Sequence, residues 1–270
     1  MTETHGALTD VRLQIDAGIA RITLDRPGVR NALRAQTTRG LIAALREAAR
    51  HPDVRLLWLT GEGGSFCAGA DLSDAGFLAG EGDPRDKARA RIDEDFHPIV
   101  RALHDFPHPT LAVIPGSAVG FGFDMALACD LRIAATDAKL GPIFAHIGLV
   151  PDGGGTWSLP RLIGPTRALE WILTGQTRTA AEVESWGLLN RVVPAAELEA
   201  AAGALAARLV AGPPLALAAA RRLVRDAQAA GFEAALAAER EAQVDMLTSR
   251  DFGEGVAAWF ERRAPRFEGR

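Results

Sequence analysis

The groups best suited to chemistry in this 270-residue chain are carboxylates set beside glycines and apolar residues. The stretch "GLVPDGGGTW" (148–157) places Asp152 between a proline and three glycines, behind an apolar run and ahead of a tryptophan. An aspartate in water has a pKa of about 3.9, and burial among apolar groups raises it toward that of a useful base. The same local sequence also suits an Asp that bonds its own backbone in a turn, so both roles stand at this point. Asp71 ends a second glycine-bearing stretch, "SFCAGADL" (65–72), and Asp124 ends a third, "GSAVGFGFD" (116–124). Each follows an apolar run and precedes a helical pattern, which predicts helix N-caps for both side chains. Backbone N–H groups at such junctions donate to negative charge. Two junctions from neighbouring strands could aim N–H groups at one oxygen, the construction of an oxyanion hole. Equally, the glycines could serve only to turn strands tightly into helices.

Other chemistries find less support. Neither glycine-rich loop reads G-x-G-x-x-G, no Gly-Lys-Ser/Thr occurs, and neither Ser65 nor Ser117 sits in a G-x-S-x-G elbow. His104 and His108 are four residues apart, but Pro107 and Pro109 keep them off one helical face. His146 lies six residues before Asp152 and could line the same cavity, with a core or surface place as the alternative. Asp130 and Asp137 bracket a short strand and are expected at turns or on the surface. Cys67 and Cys129 have no metal-ligand spacing, which predicts no metal and suits a reducing, cytoplasmic setting.

The elements that must position these groups follow from periodicity. Residues 10–25 alternate around Asp16-Ala17-Gly18 as a hairpin does, and residues 35–50 have helical spacing. "VRLLWLT" (54–60) and "PTLAVIPG" (109–116) read as short buried strands, each entering a glycine loop. The charged residues 81–97 read as a mobile, solvated loop before a helix near 90–104. From Arg161 on the pattern is helical, with Gly175 as a C-terminal cap, a capping box at Thr179–Glu182 and one short strand in "NRVV". Helices near 195–211, 213–230 and 232–248 lead to a last amphipathic helix with Val256, Trp259 and Phe260 on one face. Strands alternating with helices followed by a helical tail predict an α/β core with an added helical layer, whose apolar faces need the core or another subunit to cover them.

Composition narrows the class further. The 30 basic and 34 acidic residues are interspersed and leave a net charge of −4, so no basic stripe points to nucleic acid. "MTETHGALTD" has neither the basic start nor the apolar core of a signal peptide. The apolar segment 111–129 contains Pro115, Gly116, Gly120, Gly122 and Asp124, which predicts strand, turn and helix start rather than a membrane span.

Taken in order, six stretches resemble the enoyl-CoA hydratase/isomerase, or crotonase, superfamily. They are "LDRPGVRNAL" (24–33), "GSFCAGADL" (64–72), "VGFGFDMALACDLRIAATDAKLG" (119–141), "GLVPDGGGTWSLPRLIG" (148–164), "LTGQTRTAAEVESWGLLNRVV" (173–193) and "EGVAAWFERRAPRF" (254–267). The resemblance implies an α/β, crotonase-like (ClpP/crotonase) core of repeated ββα units over 1–200, holding an acyl-CoA site. A C-terminal helical trimerisation region over 201–270 and a homotrimer or hexamer complete the implied architecture. It further implies stabilisation of a thioester enolate, with coenzyme A entering on the substrate and no separate cofactor. By resemblance the N–H groups of Ala68 and Phe121 are the oxyanion donors, and Ala68, Gly69, Ala70, Asp71, Leu72, Phe121 and Phe144 border the acyl-CoA.

The departures from the family pattern choose among reactions. Where the family's hydratases carry two glutamates, this chain has Asp124 and Phe144. Asp152 falls where the branch of Δ3,Δ2-enoyl-CoA isomerase-like enzymes and 2-(1,2-epoxy-1,2-dihydrophenyl)acetyl-CoA isomerase carries its aspartate. A dehalogenase branch also places an aspartate here, but "PDGGGT" differs from its pattern. The expected activity is therefore an acyl-CoA isomerase with Asp152 as its one base. A hydratase using Asp124 and Asp152 and a non-catalytic acyl-CoA-binding protein are the alternatives.

Overall fold

Three antiparallel strands open the chain: β1 (Glu3–Leu8), β2 (Val11–Asp16) and β3 (Ile19–Leu24). The computed structural model describes residues 3–74 and 81–270, residues 3–8 by their backbone alone. Val11, Leu13 and Ile15 of β2 are buried while Arg12, Gln14 and Asp16 face solvent, the period-two pattern of a sheet covered on one side. Ala17 and Gly18, with φ of 47° and 81°, make the two-residue turn that the strand twist favours. The remaining strands are β4 (Leu56–Gly61), β5 (Thr110–Ile114), β6 (Ala118–Val119), β7 (Leu131–Ala135), β8 (Lys139–Gly141), β9 (Arg178–Thr179) and β10 (Arg191–Val193). The main sheet runs β1-β2-β3-β4-β5-β7-β10, and β6, β8 and β9 form a smaller one. From β3 to β10 the main-sheet pairings are parallel. Every residue of β4 and β5 is buried, which explains why these strands read as apolar runs without alternation.

The helices are α1 (Ala35–Arg50), α2 (Pro84–Arg91), α3 (His97–His104), α4 (Phe121–Ala128), α5 (Gly155–Ile163), α6 (Pro165–Thr174) and α7 (Ala180–Val183), then α8 (Leu198–Val210), α9 (Pro214–Ala227), α10 (Phe232–Leu247) and α11 (Arg250–Glu261). The Gly175 cap is present with φ 61°, and the Thr179–Glu182 capping box closes in both directions. This is an α/β core with a helical C-terminal layer, as expected. The expected division at 200/201 runs through α8, whose Leu198, Ala202 and Ala206 are buried, so α8 packs with the core. The helices after it are different in kind: α9 buries no residue, α10 only Ala242, and α11 only Asp251 and Ala258. Trp259 and Phe260 are 82% and 81% exposed, so this chain alone leaves the apolar face of α11 uncovered. Among the described residues no single helix is long and apolar enough to cross a membrane.

Several local expectations are corrected. The helical stretch expected from about 90 begins already at Pro84: Asp83 caps α2 by accepting from the Arg85 N–H at 2.8 Å. A π-type turn, Ile92–Phe96, joins α2 to α3. Pro98, which lacks an N–H, lies just beyond that turn and interrupts the regular ladder. Asp130 lies in the bend before β7, as expected, but it is tied down rather than solvated. It accepts from Thr110 N and Oγ1 (2.8 and 2.9 Å), from Arg221 Nε (2.6 Å) and from an Arg225 nitrogen (2.8 Å), tying α9 to the start of β5. Neither Asp71 nor Asp124 is the N-cap of a helix that follows it: Asp71 lies in a loop, and Asp124 is the fourth residue of α4, whose N-cap is Gly120.

Candidate active site

The two glycine-rich junctions leave neighbouring parallel strands, β4 and β5, and they meet. Cys67 N donates to the Ser117 carbonyl at 2.8 Å, and Val119 N donates back to the Cys67 carbonyl at 3.0 Å. The approach is so close at Gly122 that a Cβ there would sit 2.3 Å from the Cys67 carbonyl oxygen. Asn31 holds the first junction from behind, its Nδ2 donating to the carbonyls of Glu62 and Ser65 at 3.0 and 2.8 Å. Arg26 donates to Asp71 Oδ2 at 2.9 Å, and Ser73 N and Oγ donate to Asp71 Oδ1. These bonds, the Ser73 hydroxyl first, hold the Asp71 carboxyl below the usual carboxylate range.

An account of the N–H groups separates the candidate oxyanion donors. Ala68 N donates to the Arg30 carbonyl at 3.0 Å, so the donor expected there is already engaged. The next stretch pairs with Leu33: Leu33 N donates to the Gly69 carbonyl at 2.8 Å and Asp71 N to the Leu33 carbonyl at 2.9 Å. Along a paired segment successive groups alternate sides, so the Ala70 N–H points away from Leu33. It has no acceptor among the described residues. Phe121 N, at the first position of α4, is one of the N–H groups a helix leaves without an internal partner. Gly69 (φ 88°) packs against it, with a Cβ there lying 3.3 Å from Phe121 N. The geometry thus favours Ala70 and Phe121 as the available pair, two residues along from the expected Ala68.

The carboxylates divide by burial. Asp124 is 1% exposed; its Oδ2 accepts from Gly153 N at 2.9 Å, and the Gly155 N–H points at the carboxylate without completing a hydrogen bond to the buried Oδ1. Burial raises its pKa to about 7, and the neighbouring Asp152 adds to the rise. Asp152 is half-buried, and its pKa is also raised by burial, with its own backbone N–H and His97 acting against the rise. Its Oδ1 is shielded from solvent and has no hydrogen-bond partner among the described residues. Phe121 links the parts: a Cβ at Gly153 would lie 3.0 Å from the Phe121 ring, and that ring packs on Phe96 at 4.7 Å between centroids. Phe144 is buried in a 3-10 turn, Ile143–Ile147, and Leu72 is exposed at the mouth of the first junction.

His146 is exposed, its ring lying against Gly175 at the end of α6. The histidine that acts on Asp152 is instead His97, the first residue of α3, whose Nδ1 is 3.5 Å from Asp93 Oδ1. No local motif marks it, because the π-type turn and the packing of α3 on α4 bring it there.

The family model for enoyl-CoA hydratase/isomerase matches residues 14–270. A Rhodobacter capsulatus protein with the name "Probable enoyl-CoA hydratase" is 40% identical over 260 residues, covering 96% of this chain and 98% of its own. The 1,2-epoxyphenylacetyl-CoA isomerase of Escherichia coli is 34% identical over 259 residues, covering 95% and 97%. Among solved structures, an enoyl-CoA hydratase from Bacillus anthracis superposes with a TM-score of 0.89 at 31% identity, over 97% of this chain and 100% of that one. Pseudomonas aeruginosa DspI gives 0.88 at 33% identity, over 96% and 97%. The fold, the paired junctions and these matches agree: the chain belongs to the enoyl-CoA hydratase/isomerase, or crotonase, family, and resembles its isomerase-like branch.

Proposed function

We propose that this protein is an acyl-CoA isomerase that moves a double bond by means of a single aspartate base. The thioester oxygen would accept from Ala70 N and Phe121 N, which lowers the energy of the enolate formed when a proton leaves C2. Asp152 takes that proton, the electron pair delocalises onto the thioester oxygen, and return of the proton at C4 carries the double bond from C3 to C2. Phe121, Phe96 and Phe144 offer neither a proton nor a site for an activated water. That apolar lining keeps Asp152 basic and side reactions with water slow. The observation that carries the reading is the double contact of Phe121: its N–H lacks an intrahelical partner while its ring touches Gly153, next to Asp152. Donor and base are thus adjacent. The reaction as drawn uses only main-chain and side-chain groups.

Water addition by Asp124 and Asp152 is a second reading, favoured by the raised pKa of Asp124, about 7, beside another carboxylate. Against it, Asp124 is 1% exposed and turned toward Gly153 and Gly155. A direct comparison separates them: isomerisation of a 3-enoyl-CoA against loss of the conjugated thioester absorbance of crotonyl-CoA. Asp152→Asn is expected to lose the first activity, and full retention would refute the assignment. The uncovered faces of α9–α11 are read as contacts between subunits, in keeping with the homotrimer or hexamer that the family resemblance implies.

A further inference from the structure

Helix α5 begins at Gly155 with no cap from its own segment, because its N-cap residue is Gly154 (φ 87°) and no side chain bonds its first N–H groups from that position. The carboxylate that reaches this end comes from a different helix, α4. Asp124 Oδ2 accepts from Gly153 N at 2.9 Å, and Oδ1 lies where a Cβ on Gly155 would be only 2.3 Å away. A Cβ on Gly153 would meet the Asp124 Cβ at 2.6 Å. The glycines at 153 and 155 are therefore the space in which Asp124 sits. A negative group at a helix N-terminus is stabilised both by the donors and by the helix dipole.

We propose that Asp124 is a positioning residue: its carboxylate, bonded to Gly153 N and packed against Gly155, fixes residues 153–155 at the start of α5, and with them the direction in which Asp152 faces the acyl group. The inference rests on the reading of Asp152 as the base. It differs from proton transfer by Asp124 itself, which would need an oxygen open to substrate. The charged group that acts on Asp124 is Asp152, from the loop before α5, and behind Asp152 stands His97 from α3. With the carboxylate ionised, Asp124 is the stronger acceptor for the Gly153 amide, so the active geometry is favoured as pH rises past about 7.

The test uses the full-length protein and exchange of the α-protons of a saturated acyl-CoA into deuterated water. Asp124→Ala is expected to slow exchange by on the order of 10²-fold, with acyl-CoA affinity unchanged. Asp124→Asn, which keeps the shape and one acceptor oxygen, is expected to slow it less and to lose the rise near pH 7 expected of the unsubstituted protein. Backbone amide exchange at 153–155 should become faster in Asp124→Asn, a readout independent of activity that holds if the alanine variant fails to fold. The proposal is overturned if Asp124→Asn keeps both its pH profile and its amide protection. It is also overturned if Asp124→Asn loses as much activity as Asp152→Asn while the amides stay protected, since that outcome makes Asp124 a proton-transfer group. Full exchange in Asp152→Asn would instead sink the base reading, whatever the Asp124 variants do.

Discussion

Asp152 acts on Asp124 across the start of α5, yet the surroundings of the two differ. One sits on a regular helix, sealed from water, with an oxygen bonded to a glycine N–H. The other sits on an irregular loop, half-buried, with one oxygen lacking a partner among the described residues. Burial raises both pKa values, so a raised pKa by itself does not identify the base. What separates them is exposure and anchoring: Asp124 is 1% exposed with Oδ2 tied to the Gly153 N–H, whereas Asp152 is half-buried and, among the described residues, its carboxylate is held by no N–H but its own. Position in the hydrogen-bond network decides the role.

The sharpest break of this comparison is at Asp152. Asp152→Asn should lower isomerisation by on the order of 10²–10⁴-fold, the usual worth of a general base, and by more than Asp124→Asn does. Comparable in size is removal of a donor. Replacing the amide before Ala70 or before Phe121 by an ester, which deletes one N–H, should lower kcat by about 10²–10³-fold. The same replacement at Ala68 should leave kcat nearly unchanged and lower stability by about 1 kcal/mol, because its N–H only holds the Arg30 carbonyl. Steady-state kinetics and thermal melting of the three semisynthetic proteins check this directly.

A smaller effect tests the packing around Asp124. Gly155→Ala would place a Cβ 2.3 Å from Oδ1 and should destabilise by about 1–3 kcal/mol. Gly148→Ala meets nothing within 4 Å and should show only the strain of its left-handed backbone (φ 73°), about 1–2 kcal/mol. Activity should fall in the first and survive in the second.

The smallest effect is on stability against pH. Because burial gives Asp124 a higher pKa in the folded protein (about 7) than an aspartate has in the unfolded chain, about 3.9, the native state binds the extra proton. Stability from this group is therefore present at low pH and lost as pH rises from about 4 to about 7. Asp124→Asn removes that dependence, so its stability relative to the unsubstituted protein should improve over the same interval in denaturant titrations.

What could be read from the sequence was local. The hairpin at Asp16–Gly18, the apolar runs of β4 and β5 and the capping box at Thr179 each carry their signal within a few residues. The Phe144 and Asp152 departures were visible by resemblance. What was hidden depends on contacts between distant segments. Whether the N–H of Ala68 or of Ala70 is free is decided by pairing with residues 30–33, and periodicity says nothing about that. Asp124 looked like the cap of its own helix, whereas its carboxylate accepts from Gly153 N, 29 residues further along. His97 reaches the site through a π-type turn in a stretch whose charge density suggested a loop. Asp130 gains its partners from α9, 91 and 95 residues away.

The central claim is that one base beside a two-donor oxyanion site moves a proton along the acyl chain without adding water. A 3-enoyl-CoA incubated with the protein in deuterated water tests it most directly, with products resolved by mass and by proton NMR. The claim predicts the conjugated 2-enoyl-CoA, with exchange at the carbons that lose and gain the proton and no hydroxyacyl product ahead of it. Accumulation of a 3-hydroxyacyl-CoA at a rate matching or exceeding isomerisation would contradict it.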